Sequence, residues 1–308
     1  MRILVLGAGG IGGYFGARMH VAGGDVTFLV RPARAAQLRD QGLRVSSPLG
    51  NAQISPRILT GDQLIDPFDV IFLSCKAYDL DSAITAIAPG FGEQSVILPL
   101  LNGVAHIERL SARFGPSRVL GGVALISVML APDGEIRHLN RLQRIIAGPL
   151  TSPSSPWLPR LAQLLAASGV DFSLSDHVEQ AMWDKLVFLS ALAGATCTLR
   201  AGVGDILRTV GGEAFVTGLL ADCAGAAAVN GHAVAEKQLA AFGQQLSDRS
   251  STLMASMLRD IERGGPTEAD HILGYLHDRA RAAGLDTPLL RLAYSHLQAY
   301  EIRRRAAS

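Results

Sequence analysis

The chain has 308 residues, 48% of them apolar, and its 28 basic and 27 acidic side chains leave a formal net charge of +1. That length gives room for two domains with separate cores. The near-neutral balance carries no electrostatic footprint for nucleic acid or an anionic membrane surface, and neither partner is expected. Cys75, Cys197 and Cys223 are odd in number, far apart and without a CxxC pair. Free thiols in a reducing cytoplasm are therefore expected, with no disulfide framework. The eight histidines show no HxxxH or HxH spacing, so no metal site is expected.

The chain opens on Ile3 to Leu6, a short unbroken apolar run that reads as a strand buried on both faces. Because this strand starts at residue 3, no signal peptide is expected. Gly7-Ala8-Gly9-Gly10-Ile11-Gly12 follows at once, and Ile11 to Val21 reads as a helix. Strand, glycine turn and helix together form the context of a dinucleotide fingerprint. Gly7 serves the tight turn and Gly9 a close backbone approach to pyrophosphate. Gly12 lets the helix pack on the strand, and Gly10 and Ile11 open that helix with N–H groups towards the phosphates. The second strand, Asp25 to Val30, runs into Arg31-Pro32-Ala33-Arg34 where a carboxylate for a ribose 2′-OH would usually stand. A guanidinium suits a 2′-phosphate, so NADP is favoured over NAD. The bland alternative makes Arg31 and Arg34 solvated charges at a helix start.

Further strand-like runs are Val70 to Ser74, Val96 to Leu100, Val119 to Leu125, Arg144 to Ala147 and Val170 to Leu174. Alternating with helical segments, they predict an α/β fold: a Rossmann-type doubly wound parallel sheet over residues 1–175. Residues 151–156 read as a loop, and Trp157 to Ser168 as a helix. From Asp176 the pattern becomes helical, with a capping-box sequence Asp176-His-Val-Glu179 at its start. An all-α C-terminal domain is expected over 176–308, with helices near 177–195, 212–230, 235–245, 252–262, 266–283 and 288–305. Arg200 and Asp222 interrupt the two most apolar stretches, which argues against membrane spans. The apolar helix faces fit a homodimer or core packing equally.

Only three of the basic residues are lysines: Lys76, Lys185 and Lys237. In so arginine-rich a chain, a surviving lysine hints at a task that needs a removable proton. Lys185 shares a helix face with Ala181, Phe188 and Leu192, so its ammonium would be partly desolvated and its pKa lowered towards a general-acid range. It could equally snorkel to solvent or pair with Asp184. Glu268 falls in a helix start with Thr267 as the cap, where a carboxylate also simply complements the dipole. Ser256 lies on the apolar Leu253 to Ile261 segment. Asn102, before Gly103 at a strand's carboxyl end, sits where this fold places cofactor.

Gly7 to Gly12, Cys75-Lys76, Leu101-Asn102-Gly103, Trp183-Asp-Lys185-Leu186, Ser256-Met-Leu-Arg-Asp260 and Thr267-Glu268-Ala-Asp270 occur in an order and spacing that resembles the ketopantoate reductases (2-dehydropantoate 2-reductases). The resemblance runs through nearly the whole chain. It implies NADPH-dependent reduction of a 2-oxo acid, 2-dehydropantoate to pantoate in pantothenate biosynthesis, in a cleft between a Rossmann and a helical domain. By the same resemblance Lys185 is the general acid and Glu268 holds it or a substrate hydroxyl. Ser256 contacts substrate, Asn102 lies near the nicotinamide, and Lys76 and Arg31 bind cofactor. The chain departs from the family pattern at Leu189, Ala193 and Leu273, where the family tends to carry asparagine. That change implies a more apolar substrate shell and leaves open another small 2-oxo or imino acid. A catalytically silent NADP-binding module is the reading from a different class.

Overall fold

The structure is a computed structural model that describes residues 1–151 and 155–307. The loop read at 151–156 thus lies partly outside the described residues. Contacts divide the chain into two units: residues 1–101 with 106–179, and residues 102–105 with 180–308. The expected boundary at Ser175 falls a few residues earlier. The short segment after Leu101 joins the second unit, which no local pattern in the sequence announces.

In the first unit, β1 (Arg2–Leu6) is followed by α1 (Gly10–Val21), β2 (Asp25–Leu29), α2 (Pro32–Gln41), β3 (Leu43–Ser46), β4 (Ala52–Ile54) and β5 (Arg57–Leu59). Then come β6 (Phe68–Leu73), α3 (Leu80–Ile87), β7 (Phe91–Pro99), α4 (His106–Phe114), β8 (Leu120–Leu130), β9 (Ile136–Pro149), α5 (Trp157–Ala167) and β10 (Asp171–Leu174). Five parallel strands form the main sheet in the order β5-β2-β1-β6-β7. The chain leaves central β1 for β2 on one side and later returns to β6 on the other. That reversal is a topological switch point, and ligands bind outside the strand ends beside it.

Burial explains why these runs are continuous rather than alternating. Ile3 and Val5 enter one hydrophobic cluster with Phe15, Phe28 and Phe72, while Leu4 enters another with Ile71, Leu80 and Ile87. Val70 and Phe72 divide from Ile71 and Leu73 in the same way. A strand covered on both faces needs an apolar residue at each position, each contributing about 1.5–3 kcal/mol when fully buried.

The runs at 119–125, 144–147 and 170–174 were expected in the parallel sheet. They belong to a second sheet instead, of order β10-β9-β3-β4 with β8 paired to β9. β8 and β9 are antiparallel, joined through a turn in which Gly134 has φ +81° and donates its N–H to the Ala131 carbonyl at 2.9 Å. The hairpin escaped detection because β9 alternates polar residues over its first half, leaving only its buried end legible. The two sheets clamp α1, and this accounts for its glycines. A Cβ at Gly16 would lie 2.5 Å from the Phe28 ring of the main sheet, one at Gly13 would collide with Ile136 of β9, and one at Gly10 would press on Val128 of β8.

The second unit is helical: α6 (Val178–Leu199, which begins in the first unit), α7 (Val203–Leu207), α8 (Gly212–Val229), α9 (Glu236–Leu246), α10 (Ser256–Glu262), α11 (Tyr275–Ala282) and α12 (Pro288–Ala306). Gly194 marks the crossing of α6 on α8 and α12: a Cβ there would meet Leu219 at 2.7 Å and Ala293 at 3.4 Å. Among the described residues α8 alone has the length and apolarity to cross a membrane, but it packs on α7, α9, α11 and α12. Its Asp222 accepts the N–H groups of Leu289 and Leu290 at 2.8 and 3.0 Å. A carboxylate from α8 therefore caps the start of α12, where the helix dipole favours it.

Candidate active site

The carboxyl edge of the main sheet gathers three of the predicted segments. β1 ends at Leu6 and runs into Gly7, β2 ends at Leu29 just before Arg31, and β6 ends at Leu73 before Ser74-Cys75-Lys76. Gly7 has φ +86°, a conformation that L side chains rarely adopt, and its N–H donates to the Leu29 carbonyl at 2.9 Å. Gly12 packs so tightly that a Cβ would lie 2.5 Å from the Gly7 carbonyl oxygen and collide with Ser74 Oγ. Nothing stands within 4 Å of a Cβ built on Gly7 or Gly9, so the turn is open above its backbone.

The first intrahelical bond of α1 runs from Gly13 N–H to the Gly9 carbonyl at 2.9 Å. Gly10, Ile11 and Gly12 therefore have N–H groups with no acceptor inside the helix. An open glycine turn followed by free N–H donors and the positive end of a twelve-residue helix fits a pyrophosphate. The residues present thus suit a dinucleotide.

The two arginines of the β2–α2 turn part company. Arg34 is not a solvated charge: it donates to the Ala8 carbonyl at 3.0 Å, the Gly134 carbonyl at 3.1 Å and Gln37 Oε1 at 2.5 Å. It ties the glycine turn to the β8–β9 turn. Arg31 stays 76% exposed at the edge, where it pairs with Asp79 at 2.9 Å. Asp79 ends the 3₁₀ turn Ala77–Asp79, for which Lys76 is the N-cap residue, and its N–H donates to the Lys76 carbonyl at 2.9 Å. The carboxylate missing from the end of β2 is thus supplied from the end of β6, and the sequence around Arg31 contains no trace of it.

The other predicted residues belong to the second unit. Lys185 lies mid-way along the first half of α6, half-buried. Desolvation lowers its pKa to about 8, against the carboxylate of Glu268, which raises it. Glu268 is only 6% exposed. The electrostatic partner of Lys185 is therefore Glu268, some eighty residues away in the chain, rather than the adjacent Asp184, which accepts a hydrogen bond from Gln180 at 2.8 Å. An ammonium held partly out of water beside a buried carboxylate can deliver a proton near neutral pH.

Three residues of α12 hold the segment that carries Glu268. Glu301 accepts the Thr267 N–H at 2.6 Å, Tyr300 donates to the Gly265 carbonyl at 2.7 Å, and Tyr294 donates to Asp270 at 2.9 Å. Thr267 was expected to cap a helix with its side chain, but its buried hydroxyl accepts no N–H of the turn that follows. The helix expected over 266–283 is interrupted: Asp270–Gly274 is a π-helical turn, and α11 begins only at Tyr275. The Tyr294 ring occupies the space of a side chain at Gly274, 2.7 Å from where its Cβ would sit, which accounts for the glycine that ends this turn. Such turns recur at functional sites.

Asn102 and Gly103 sit against this π turn. Gly103 has φ +86°, and a Cβ there would be 2.9 Å from the His271 ring. This explains the glycine after Asn102 and brings His271, three residues past Glu268 and absent from the sequence-based candidates, against the Asn102-Gly103 segment. Ser256 is exposed at the first position of α10, not inside a longer helix, because residues 252–255 are non-helical and Ala255 is extended. The Ala255 N–H donates to Thr196 Oγ1 at 3.3 Å, which pins the start of α10 to α6, the helix of Lys185. Of the three apolar departures, Leu189 is half-buried, whereas Ala193 and Leu273 are 3% and 0% exposed. Only Leu189 is placed to touch a solute. Among the described residues no group of three or more His, Cys, Asp or Glu side chains gathers as a metal site.

Comparison with known proteins places this geometry. The sequence pattern of the ketopantoate reductase PanE/ApbA family matches residues 3–152, and that of its C-terminal part matches residues 177–301. The uncharacterized oxidoreductase YkpB of Bacillus subtilis is 34% identical, covering 99% of this chain and all of that protein. A crystal structure of a PanE/ApbA family ketopantoate reductase from Ralstonia eutropha JMP134 is 25% identical, with a TM-score of 0.90 over 99% of this chain and 100% of that one. The fold is also that of D-mandelate dehydrogenase, solved with NADH and anilino(oxo)acetate: TM-score 0.89 at 21% identity over 99% and 100% of the two chains.

Proposed function

Since the chain belongs to the ketopantoate reductase family of oxidoreductases, we propose that it reduces a small 2-oxo acid to the 2-hydroxy acid with NADPH, the first candidate substrate being 2-dehydropantoate. The pairing of Lys185 with Glu268 carries this reading: an ammonium whose pKa lies near 8 beside a buried carboxylate. The nicotinamide cofactor supplies the hydride. Lys185 meets the negative charge that grows on the carbonyl oxygen and gives that oxygen its proton. Glu268 keeps the ammonium charged and oriented. Ser256 and Asn102 supply polar contacts to the substrate and the nicotinamide end of the site, with His271 behind Asn102. On the main sheet, the N–H groups of Gly10 to Gly12 hold pyrophosphate, while Arg31 and Lys76 receive the adenosine phosphate.

Leu189 favours a second reading of the substrate, a 2-oxo acid with an apolar substituent. An amide that would hydrogen-bond a polar substrate group is absent there, worth about 1–3 kcal/mol if that group is left unpaired. The fold accommodates such acids, since D-mandelate dehydrogenase shares it and was solved with an aryl-bearing oxo acid. The test is a panel of 2-oxo acids, 2-dehydropantoate included, assayed with NADPH and with NADH. Turnover of at least one member, abolished in Lys185→Ala while NADPH still binds, is the expected result. A protein that binds NADPH tightly and turns over no member of the panel is a binding module, and the proposal fails.

A further inference from the structure

The Arg31–Asp79 pair has a consequence for cofactor choice, and it rests on the dinucleotide reading above. Arg31 follows β2 and Asp79 lies six residues past the end of β6, so their 2.9 Å contact spans the carboxyl end of β1 and its glycine turn. In this fold the adenosine ribose lies beside the end of β2, where an acidic side chain accepts the 2′-OH of NAD or an arginine receives the 2′-phosphate of NADP. Here both groups are present, on each other. The Arg31 side chain is 76% exposed and open to an incoming anion, while the Asp79 side chain is 34% exposed. Asp79 is also anchored, since its N–H and its carbonyl oxygen are engaged with Lys76 and Ser82 at 2.9 and 2.8 Å.

We propose that Asp79 is a cofactor-selecting residue, whose carboxylate competes with a 2′-phosphate for Arg31 and offers a 2′-hydroxyl an acceptor. A 2′-phosphate carries a charge of about −1.5 to −2 at neutral pH. Reaching Arg31, it must detach the guanidinium from one carboxylate and then share the space with it. An unphosphorylated ribose meets no such opposition: its 2′-OH can donate to Asp79 while the ion pair stays closed. The chain therefore discriminates between NADPH and NADH less than a lone arginine at this position would.

The experiment measures dissociation constants by calorimetry, with no turnover involved. The full-length protein and its Asp79→Asn variant are titrated with NADPH, NADH, and the fragments 2′,5′-ADP and 5′-AMP. Wild type is expected to bind both dinucleotides, with dissociation constants within about tenfold of each other. Asp79→Asn should tighten NADPH and 2′,5′-ADP by about two- to fivefold, the range of one partly exposed charge interaction. It should leave NADH and 5′-AMP unchanged or weaker, and the gain should shrink as salt rises. Binding of both cofactors with an NADPH-to-NADH ratio that Asp79→Asn does not move overturns the role of Asp79 and leaves the dinucleotide reading standing. No binding of either cofactor to wild type overturns both.

Discussion

The coupling between Lys185 and Glu268 is best probed by Glu268→Gln, which keeps the side chain's shape and removes its charge. In the wild type the Lys185 pKa of about 8 is the resultant of desolvation, which lowers it, and the Glu268 carboxylate, which raises it. Taking the carboxylate charge away leaves desolvation unopposed. A neighbouring opposite charge is worth about one unit or more, so the variant's lysine should titrate near 7 or below. At pH 7.5 the acid form falls from about three-quarters of the molecules to about one quarter, and at pH 9 it falls roughly ninefold. At pH 6 both proteins hold the proton in about nine molecules of ten or more.

The assay is the pH dependence of kcat for 2-oxo acid reduction at saturating cofactor, with pre-steady-state rates to confirm that proton delivery contributes to kcat. The alkaline limb, with rate lost as pH rises, should lie near 8 in the wild type. In Glu268→Gln it should move to lower pH, so that the variant's deficit is smallest at pH 6 and widens as pH rises. In the reverse direction the lysine must accept a proton, and the oxidation rate should rise with pH over the same range. A deficit equal at pH 6 and pH 9, with the limb unmoved, would refute the electrostatic role and leave Glu268 as a steric or hydrogen-bonding residue only.

Other consequences are as direct. Between about 8 and its ordinary value of 10.5 the unfolded chain holds more proton on Lys185 than the folded one, so this group makes stability rise with pH through that window. Burial pushes Cys197 up to about 12, an opposite contribution that is present below the ordinary thiol value of 9.0 and lost as pH rises through the folded pKa. The difference between wild type and Lys185→Met in urea unfolding, from pH 7 to 9, isolates the lysine; a difference independent of pH contradicts the assignment. Gly12→Ala must push its Cβ against the Gly7 carbonyl, and a loss of about 1–3 kcal/mol together with NADPH binding is expected in thermal unfolding and calorimetry. Asp222→Ala uncaps α12 at a cost of about 1–2 kcal/mol, and an unchanged denaturation midpoint would dismiss the cap. Leu189→Asn should shift kcat/KM towards 2-dehydropantoate and away from apolar 2-oxo acids by about tenfold, measured as a ratio on the same preparation.

What the sequence made legible was local. Ile3 to Leu6, the glycine turn and α1 are contiguous, and the pattern that marks them lies within about twenty residues even though their packing partners do not. The helix of Lys185 was legible from its apolar spacing for the same reason. The long hairpin was not, because the pairing of β8 with β9 is decided by partners rather than by the alternation within β9's exposed half. Nor was the break in the helix after Glu268: Pro266 to Ala283 has the composition of one helix, while the π turn at Asp270–Gly274 packs against Tyr294 of α12, far along the chain. Asp79, Thr196 and Glu301 were missed because each acts on a group more than thirty residues away.

That contrast also orders the site's dependence on the rest of the chain. The dinucleotide turn is reinforced from within the first unit, through Arg34 and the packing of Gly10, Gly13 and Gly16 on two sheets. The pair proposed to deliver the proton, Lys185 and Glu268, is held by elements far apart in the chain. Lys185 is carried by α6, and the segment of Glu268 is tied to α12 by hydrogen bonds at Thr267, Gly265 and Asp270, on both sides of Glu268. Burial alone would raise the Glu301 pKa, yet Arg304 and the Thr267 N–H more than offset it and hold that carboxylate below its ordinary range. The anchor therefore stays ionised wherever Lys185 titrates, and Glu301→Gln tests it: the lysine's alkaline limb should keep its position while kcat falls. A limb that moved with Glu301→Gln would mean that α12 sets the charge felt by Lys185, and not only the place of Glu268.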